Sequence, residues 1–279
     1  MVINKINTKS YLTKSNLPAS DFVINPYVGC PHSCKYCYAC FMKRFSGHQE
    51  KWGEFVDIKI CGTPLNTKKI IGKTVFMSSV TDCYNYLEEE HQLTRKILEQ
   101  LVDIDFTLNI STKSKLICRD IDLLKKFKDL KVSISINCTD EGFVSDMEKA
   151  SSVSERIEAL RELHEAGIFT VLFISPIFPE ITDYREIIKK TKPYVAEYWF
   201  ENLNLRGSYK KDILSYIETN YPELYPLYCS LYLKTTMNSN NNYWPLLEAD
   251  IEKYCAENKI SYKNYFYHDK LVENKLKRK

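Results

Sequence analysis

Three cysteines that lie close together in the chain are the residues best suited to chemistry. Cys30, Cys34 and Cys37 have the spacing CxxxCxxC within the run Asn-Pro-Tyr-Val-Gly-Cys-Pro-His-Ser-Cys-Lys-Tyr-Cys of residues 25–37. Thiolates favour zinc and iron–sulfur clusters, and both ordinarily take four protein ligands. Three thiolates in one loop therefore predict an iron–sulfur site with one coordination position left open for a reacting molecule.

A structural zinc site is the alternative interpretation of the same loop. Cys40 would then be the fourth thiolate and would give CxxxCxxCxxC within eleven residues. Structural zinc sites normally take their ligands in pairs from two separated parts of the chain, which this continuous run does not provide. We favour the iron–sulfur interpretation and keep a non-catalytic zinc or iron–sulfur binding protein as the alternative from a different functional class.

The cysteine loop resembles that of the radical S-adenosylmethionine (SAM) superfamily. The resemblance implies that Cys30, Cys34 and Cys37 hold a [4Fe-4S] cluster whose fourth iron binds the amino and carboxylate groups of SAM. It also implies that reduction cleaves SAM to a 5′-deoxyadenosyl radical, which abstracts hydrogen from a substrate, and that Tyr36 contacts the adenine. The implied partners are an unknown substrate and an external electron donor such as flavodoxin or ferredoxin.

Two further motifs narrow the resemblance. Ser-Ser-Val-Thr-Asp-Cys-Tyr-Asn-Tyr-Leu-Glu spans residues 78–88, and Thr-Lys-Ser-Lys-Leu-Ile-Cys-Arg-Asp-Ile-Asp-Leu-Leu spans residues 112–124. With the Asn-Pro-Tyr-x-Gly-Cys lead-in, they resemble the spore photoproduct lyase-like branch over roughly residues 20–205. A DNA photolesion lyase or another nucleic-acid-directed radical enzyme is therefore the alternative within the enzymes, and nucleic acid is a possible substrate.

One position departs from that branch. In spore photoproduct lyase a cysteine three residues before the motif aspartate returns hydrogen to the product radical, and three residues before Asp82 stands Ser79. A serine O–H bond is far too strong for that step, so we do not expect repair of thymine photodimers. Cys83 is the neighbouring thiol and a candidate catalytic residue, although side chains of adjacent residues in extended chain point in opposite directions.

Polar residues near the ends of the predicted strands are the candidate cofactor ligands. Besides Tyr36, the candidates are Ser78, Ser79, Asp82, Ser135, Asn137, Glu148 and Arg156. Short polar side chains at a strand end can bind the amino group or ribose of SAM, and arginine can hold a carboxylate in a two-pronged fork. Helix capping is the alternative for Ser78, Ser79 and Asp82. An ordinary helix-end charge is the alternative for Glu148 and Arg156.

Three more residues are considered for contact with SAM or the substrate. Lys113 follows the third predicted strand and can pair with a carboxylate of SAM or substrate, or it can be a surface charge. Arg119, in the same motif, is a second cation that can pair with such a carboxylate, and its alternative is a local pair with Asp120. Asn202 ends the sixth predicted strand and can reach substrate across the barrel mouth, unless the asparagines there form a simple turn.

Short apolar runs rich in β-branched residues predict six buried strands. They cover residues 22–24, 74–77, 105–110, 132–136, 169–174 and 196–200, and helix-like segments cover 87–102, 116–128, 153–166 and 182–192. Ser152 and Glu155 form a capping box for the third of these helices, and Gly167 ends it. Alternating strands and helices imply parallel βαβ units. Six strands suit the α/β partial (β/α)6 barrel implied by the resemblance, with its site at the carboxyl ends of the strands.

The predicted organisation is a core over residues 1–205, with the cluster loop at 25–40, and a helical or mixed C-terminal extension over 206–279 that packs on the core. Residues 38–73 interrupt the alternation with a long excursion that includes a further predicted strand at Phe55–Ile60. Within the extension, Asn238–Asn242 is predicted to be a polar loop and Lys275–Lys279 a solvated basic end.

Composition favours a cytoplasmic protein. Ten cysteines accompany an N-terminus that does not resemble a signal peptide, so we expect reduced thiols. There is no apolar run near the roughly 20 residues that a membrane helix needs, so no membrane partner is expected. The formal net charge is +3, and the pI of 8.2 lies below the pI of about 9 and above that is typical of nucleic-acid-binding domains.

Overall fold

The computed structural model describes residues 1–17, 19–233 and 242–267, and all structural statements below refer to these residues. The strands are β1 (Val2–Thr8), β2 (Leu12–Lys14), β3 (Phe22–Ile24), β4 (Tyr27–Val28), β5 (Phe55–Cys61), β6 (Thr74–Met77), β7 (Thr107–Thr112), β8 (Asp129–Ser135), β9 (Phe169–Ile177), β10 (Glu197–Asn202) and β11 (Tyr262–Asn264). The helices are α1 (Glu88–His91), α2 (Leu93–Leu101), α3 (Ile121–Leu124), α4 (Glu141–Met147), α5 (Val153–Glu165), α6 (Tyr184–Thr191), α7 (Tyr209–Asn220), α8 (Tyr225–Tyr232) and α9 (Tyr243–Glu257). Short 3₁₀ segments cover Tyr38–Phe45, Thr67–Lys69, Lys115–Asp120 and Lys192–Tyr194.

The main sheet has eight strands in the order β11-β10-β9-β8-β7-β6-β3-β2. Neighbours are parallel throughout, except that β2 runs antiparallel to β3. Six of these strands, β3 and β6 to β10, are the six predicted from the sequence. The described sheet does not close, with β2 at one edge and β11 at the other. The α/β fold with a partial parallel barrel is thus confirmed.

Burial on both faces explains why these strands contain runs of apolar residues. In β9, the adjacent residues Val171 and Leu172 point to opposite faces and are both completely buried, as expected for a parallel sheet covered by helices. Helix α5 begins at the predicted capping box, in which the Ser152 side chain accepts from the Glu155 N–H and the Glu155 carboxylate accepts from the Ser152 N–H. The side chains of α5 that face the sheet complete this part of the core.

Two predicted helices are more interrupted than expected. The segment 87–102 divides into α1 and α2 at Gln92, whose φ of 51° lies in the left-handed region. The segment 116–128 contains a 3₁₀ turn and only one turn of α-helix in α3. Helix α4, at residues 141–147, has no counterpart among the predicted helices. It begins at Asp140, whose side chain accepts hydrogen bonds from two backbone N–H groups.

A second, three-stranded sheet lies beside the cysteine loop. Its order is β1-β5-β4, with β1 parallel and β4 antiparallel to β5. The predicted strand at 55–60 is confirmed as β5, whereas β1 was not predicted. Through β5, this small sheet links the N-terminal strand β1 to β4, the strand that directly precedes the three cysteines.

The C-terminal extension contributes α7, α8, α9 and the edge strand β11, which pairs with β10. Tyr228, Ile251 and Cys255 belong to the same hydrophobic core as the main sheet. The division at residue 205 stays a prediction. Residues 238–241 of the predicted polar loop and the predicted basic end at 275–279 lie outside the described residues. No helix in the described part of the chain has the length and apolar character needed to cross a bilayer.

Candidate active site

A cavity of about 730 Å³ lies where the carboxyl ends of the parallel strands meet the cysteine loop. Its lining includes the predicted residues Cys30, Cys34, Tyr36, Cys37, Ser78, Ser79, Asp82, Lys113, Ser135 and Asn202. Four predicted residues do not belong to the described lining, namely Cys83, Asn137, Glu148 and Arg156. The structure therefore brings together ten of the fourteen predicted site residues around one space.

The cysteine loop presents three half-buried thiols to this cavity. Burial raises the pKa of the thiols of Cys30, Cys34 and Cys37, with the Asp82 carboxylate adding to the effect at Cys30 and the Glu148 carboxylate at Cys34. The described residues include no three Cys, His, Asp or Glu side chains arranged around one metal ion. A four-iron cluster has a different requirement, because each thiolate binds its own iron. Three thiols on one cavity wall, separate from one another, fit such a cluster.

A glycine makes the turn into this loop possible. Gly29 has φ +84°, and a Cβ there would lie 2.3 Å from the backbone oxygen of Phe55 in β5. Both the left-handed conformation and the close approach exclude a side chain. The loop therefore takes its course from contact with the small sheet.

The residues before the cysteines bind the loop that follows β6. The Asn25 Nδ2 donates to Ser79 Oγ at 2.8 Å, and the Val80 N–H donates to Asn25 Oδ1 at 3.2 Å. The Thr81 hydroxyl donates to the Gly29 carbonyl at 2.6 Å. Two of the sequence motifs are thus in direct contact, although about 50 residues separate them.

Ser78 stands in a strained conformation at the end of β6. Its φ is +77°, which is uncommon for a residue other than glycine, and its Oγ accepts a hydrogen bond from the Cys83 N–H at 2.9 Å. The Cys83 side chain is fully buried in the hydrophobic core. Asp82 lines the cavity while Cys83 does not, and Cys83 lies in a turn rather than in extended chain.

Asp82 joins three parts of the site. Its Oδ1 accepts from the Thr112 hydroxyl at 2.7 Å and from the Tyr84 N–H at 2.9 Å, and its Oδ2 accepts from the Lys113 N–H at 2.8 Å. His32 of the cysteine loop approaches Oδ2 with Nδ1 at 3.4 Å. Burial alone would raise the pKa of Asp82, but His32 and the hydrogen bonds outweigh it and lower that pKa. A charged Asp82 thus holds the cysteine loop against the ends of β6 and β7.

A buried polar network lies behind the cysteine loop. The Lys113 Nζ is 2.8 Å from the Tyr36 hydroxyl and 3.0 Å from Glu148 Oε2, and the Tyr36 hydroxyl donates to the same carboxylate oxygen. Glu148 also pairs with Arg156 at 2.5 Å and accepts from the Cys34 thiol at 3.4 Å. Burial alone would raise the pKa of Glu148, but Lys113 and Arg156 hold it well below its usual range. The network connects Lys113, on the cavity wall, to the cysteine loop.

Arg156 is held on several sides. Its side chain has no exposed surface, its Nε donates to the Ser151 carbonyl at 2.8 Å, and its Nη1 donates to the Ser135 carbonyl at 3.1 Å. Ser135 is a lining residue at the end of β8. Asn137, two residues further, is 1% exposed, and its side-chain amide has no hydrogen-bond partner among the described residues. Arg156 therefore supports a strand end that faces the cavity.

Arg119 is placed differently from Lys113. Its guanidinium pairs with Asp120 at 2.8 Å and with Glu88 at 2.9 Å, and it does not belong to the described cavity lining. The local-pair interpretation of Arg119 is the one that the structure supports.

The ends of β9 and β10 add aromatic and polar residues to the cavity lining. Asn202 ends β10, where the pairing with β9 changes register. The hydroxyl of Ser175 donates to the Glu201 carboxylate beside it. Phe173 and Trp199 meet edge to face with ring centroids 5.8 Å apart. A substrate in this cavity would meet aromatic rings and hydrogen-bonding groups together.

Cys40 and Trp52 are among the residues near the site that escaped the sequence analysis in part or entirely. Cys40, considered only as a zinc ligand, lines the cavity. Trp52 donates its indole N–H to the Cys37 sulfur at 3.3 Å. Trp52 belongs to none of the motifs, and the length of the excursion between the cysteines and β6 was the one available signal.

The comparisons with known proteins agree with this geometry. The family model described as the Radical SAM superfamily matches residues 24–190. A protein of Methanocaldococcus jannaschii, named as uncharacterized, is 42% identical over 226 residues, which are 81% of this chain and 86% of that protein.

Two solved structures share the fold. Spore photoproduct lyase complexed with dinucleoside spore photoproduct has a TM-score of 0.66 at 16% sequence identity, covering 95% of this chain and 82% of that chain. Streptococcus suis SuiB bound to S-adenosylmethionine has a TM-score of 0.55 at 12% identity, covering 88% of this chain and 50% of that chain. At such low identities these two likenesses show the fold alone.

Proposed function

Because the chain belongs to the radical SAM superfamily, we propose that it is an enzyme in which Cys30, Cys34 and Cys37 hold a [4Fe-4S] cluster that binds SAM. The observation that carries the proposal is the exposure of these three thiols to one cavity at the carboxyl ends of six parallel strands. That edge of a parallel α/β sheet is where such folds bind their ligands. When bound, the cluster supplies an electron that cleaves SAM to a 5′-deoxyadenosyl radical able to abstract hydrogen from a substrate.

The chain's own residues divide into those that meet the cofactor and those that support them. Tyr36, Ser78, Ser79 and Ser135 line the cavity and are the proposed contacts with SAM, and Asp82 lines it beside them. Asp82 is already engaged by four protein groups, so its proposed part is to fix the loops on which the other contacts stand.

Glu148 and Arg156 are proposed to act through their neighbours. Both side chains are buried beneath the cysteine loop, where Glu148 holds the Lys113 ammonium at 3.0 Å. Lys113 in turn reaches the cavity wall and can pair with a carboxylate there. Asn137, behind the end of β8, is a proposed contact only if its unpartnered amide becomes accessible from the cavity.

Asn202, at the end of β10, is the proposed substrate contact. Cys83 is buried in the core and away from the cavity wall, so we do not propose it as the hydrogen donor. The proposed partners are a substrate of unassigned class, with nucleic acid as one candidate, and an external electron donor such as flavodoxin or ferredoxin in a reducing cytoplasm.

Anaerobic reconstitution followed by incubation with SAM and dithionite tests the proposal. We expect about four irons and four sulfides per chain and slow formation of 5′-deoxyadenosine even without substrate, measured by mass spectrometry. One zinc and no sulfide would instead indicate a zinc-binding protein. An intact cluster that never cleaves SAM would indicate an iron–sulfur protein without this activity.

Cysteine variants provide the matched control. Cys30→Ala, Cys34→Ala or Cys37→Ala should each abolish the cluster, whereas Cys40→Ala, on the same cavity wall, should retain it. Loss of iron in Cys40→Ala with full iron in Cys30→Ala would overturn the ligand assignment.

A further inference from the structure

The segment between the 3₁₀ helix at Tyr38–Phe45 and β5 places one tryptophan against the cysteine loop. Trp52 is half-buried, and its indole Nε1 donates a hydrogen bond to the Cys37 sulfur at 3.3 Å. The two residues are fifteen positions apart, too far for the contact to follow from local chain geometry. Their meeting is therefore a product of how the excursion folds.

A stack of rings holds the indole in position. Trp52 meets Phe55 edge to face with ring centroids 5.7 Å apart, and Phe55 stacks on His48 with ring centroids 3.9 Å apart. His48 in turn contacts Asp57 through Nε2 at 2.8 Å and Glu50 through Nδ1 at 3.0 Å. Because both ring nitrogens are engaged, the imidazole cannot rotate without breaking a contact.

The backbone next to the tryptophan lies directly on the cysteine loop. Gly53 has φ +95°, and a Cβ there would lie 2.3 Å from Ser33 Oγ and 2.8 Å from Ser33 Cα. Ser33 stands between the first two cysteines and itself has φ +49°. The indole is thus fixed both by its ring neighbours and by contact between the two loops.

A hydrogen bond to a ligating sulfur has a defined electrostatic effect. The donor stabilises negative charge on the sulfur, and hydrogen bonds to the sulfurs are among the factors that set the reduction potential of a cluster. The reduced cluster carries one more negative charge than the oxidised cluster, so the donor stabilises the reduced form more and raises the potential.

We propose that Trp52 is a positioning residue that holds the Cys37 thiolate by its indole N–H and raises the reduction potential of the cluster. The inference rests on the proposed function, because it takes Cys37 to be a cluster ligand. It concerns how readily the site accepts an electron, and it leaves the identity of the substrate open.

The first test compares Trp52→Phe with Trp244→Phe. Phenylalanine keeps an aromatic ring but removes the N–H donor. Trp244 in α9 packs on Tyr243 and Phe266, so its replacement is a matched loss of one indole outside the site. Iron and sulfide are measured first in each reconstituted protein, and the midpoint potential is then measured by redox titration followed by electron paramagnetic resonance.

We expect full iron in both variants, a more negative midpoint potential in Trp52→Phe, and an unchanged potential in Trp244→Phe. An unchanged potential in iron-replete Trp52→Phe would overturn the inference and leave the proposed function standing. Absence of iron and sulfide in the wild type would overturn the proposed function, and this inference with it.

A measurement on the wild-type chain covers the case in which Trp52→Phe does not fold. Protein grown with tryptophan carrying ¹⁵N in the indole ring should show a hyperfine coupling between the reduced cluster and one indole nitrogen. Its absence from the reconstituted, reduced protein would overturn the inference without any variant.

Discussion

Glu148 is the residue on which the charges of the site converge. Its carboxylate has no exposed surface, and two cations, Lys113 and Arg156, lie within 3.0 Å and 2.5 Å of it. Charges removed from water are stable only while they are paired. The Glu148 carboxylate therefore compensates two cations at once, and one of its oxygens also receives the Cys34 thiol.

We expect Glu148→Gln to lower the free energy of unfolding by about 3–5 kcal/mol, because the change leaves buried Arg156 without a countercharge. Urea denaturation followed by circular dichroism measures the loss. Glu158→Gln, which removes an exposed partner of Arg161 on α5, should cost no more than about 1 kcal/mol. Equal losses in the two variants would contradict the reading of Glu148 as a compensating charge.

At the scale of elements, the turn from β4 into the cysteine loop depends on β5. Gly29→Ala should prevent iron uptake, because the new Cβ would lie 2.3 Å from the Phe55 carbonyl oxygen. The left-handed backbone conformation also costs free energy for any residue with a side chain. Iron per chain after reconstitution is the measurement. Gly47→Ala is the control, since Gly47 has a similar φ of +76° but no atom within 4 Å of the added Cβ.

The control separates conformational strain from collision. Gly47→Ala should cost about 1–2 kcal/mol of stability and retain the cluster. If Gly29→Ala takes up iron as well as Gly47→Ala does, the close packing of the loop on β5 is not required for the metal site.

The contacts of His48 predict a dependence of stability on pH. Burial alone would lower the pKa of His48, but its hydrogen bonds with Asp57 and Glu50 outweigh burial and raise that pKa. The stabilisation is then fully present below the unfolded-state pKa of about 6.5 and is lost as the pH rises through the folded-state value. The difference in unfolding free energy between wild type and His48→Gln should therefore shrink from about pH 6 to about pH 9.

Urea denaturation across that pH range provides the measurement. A wild-type advantage over His48→Gln that grows with pH would contradict the assignment of a charged His48 between its two carboxylates.

The elements that the sequence revealed are those whose pattern follows from burial. β9 is rich in β-branched and apolar residues, and β8 contributes Leu130, Val132 and Ile134, because these positions are buried in the core. The capping box of α5 is a purely local signal. β1 was missed because most of its residues are exposed, and its apolar and polar residues do not alternate so as to form one apolar face. β11 has three residues, too few for a periodic pattern.

At the scale of the whole molecule, the sequence indicated most of the cavity wall but not the supports behind it. The cysteine motif identified four of the ten lining residues, and the other six follow or end strands that could be predicted. The contact of His32 with Asp82 and that of Trp52 with Cys37 join separate loops. Such contacts follow from tertiary packing, which no single segment of sequence specifies.

The composition of the cavity bears on which reaction the molecule can complete. Ser79 lines the cavity, and the sequence resemblance places it at the position of the hydrogen-donating cysteine of spore photoproduct lyase. Cys83 is buried away from the cavity wall. We therefore expect little thymine product from a dinucleotide spore photoproduct incubated with the reconstituted protein, SAM and dithionite, as measured by liquid chromatography and mass spectrometry. Rapid, clean repair would refute this, and its loss in Cys83→Ala would show that the buried thiol had taken over.

The pairing of β1 with β5 has a consequence for how the molecule is made. The ribosome synthesises the chain in the direction from the N-terminus to the C-terminus. Strand β1 (Val2–Thr8) therefore has no partner until β5 (Phe55–Cys61) has been synthesised. The three cysteines emerge in that interval, before Trp52, and long before Glu148. A nascent chain therefore exposes the three thiols without the partners that later shape their loop. We expect the proposed cluster to reach its finished geometry only after the core has been translated.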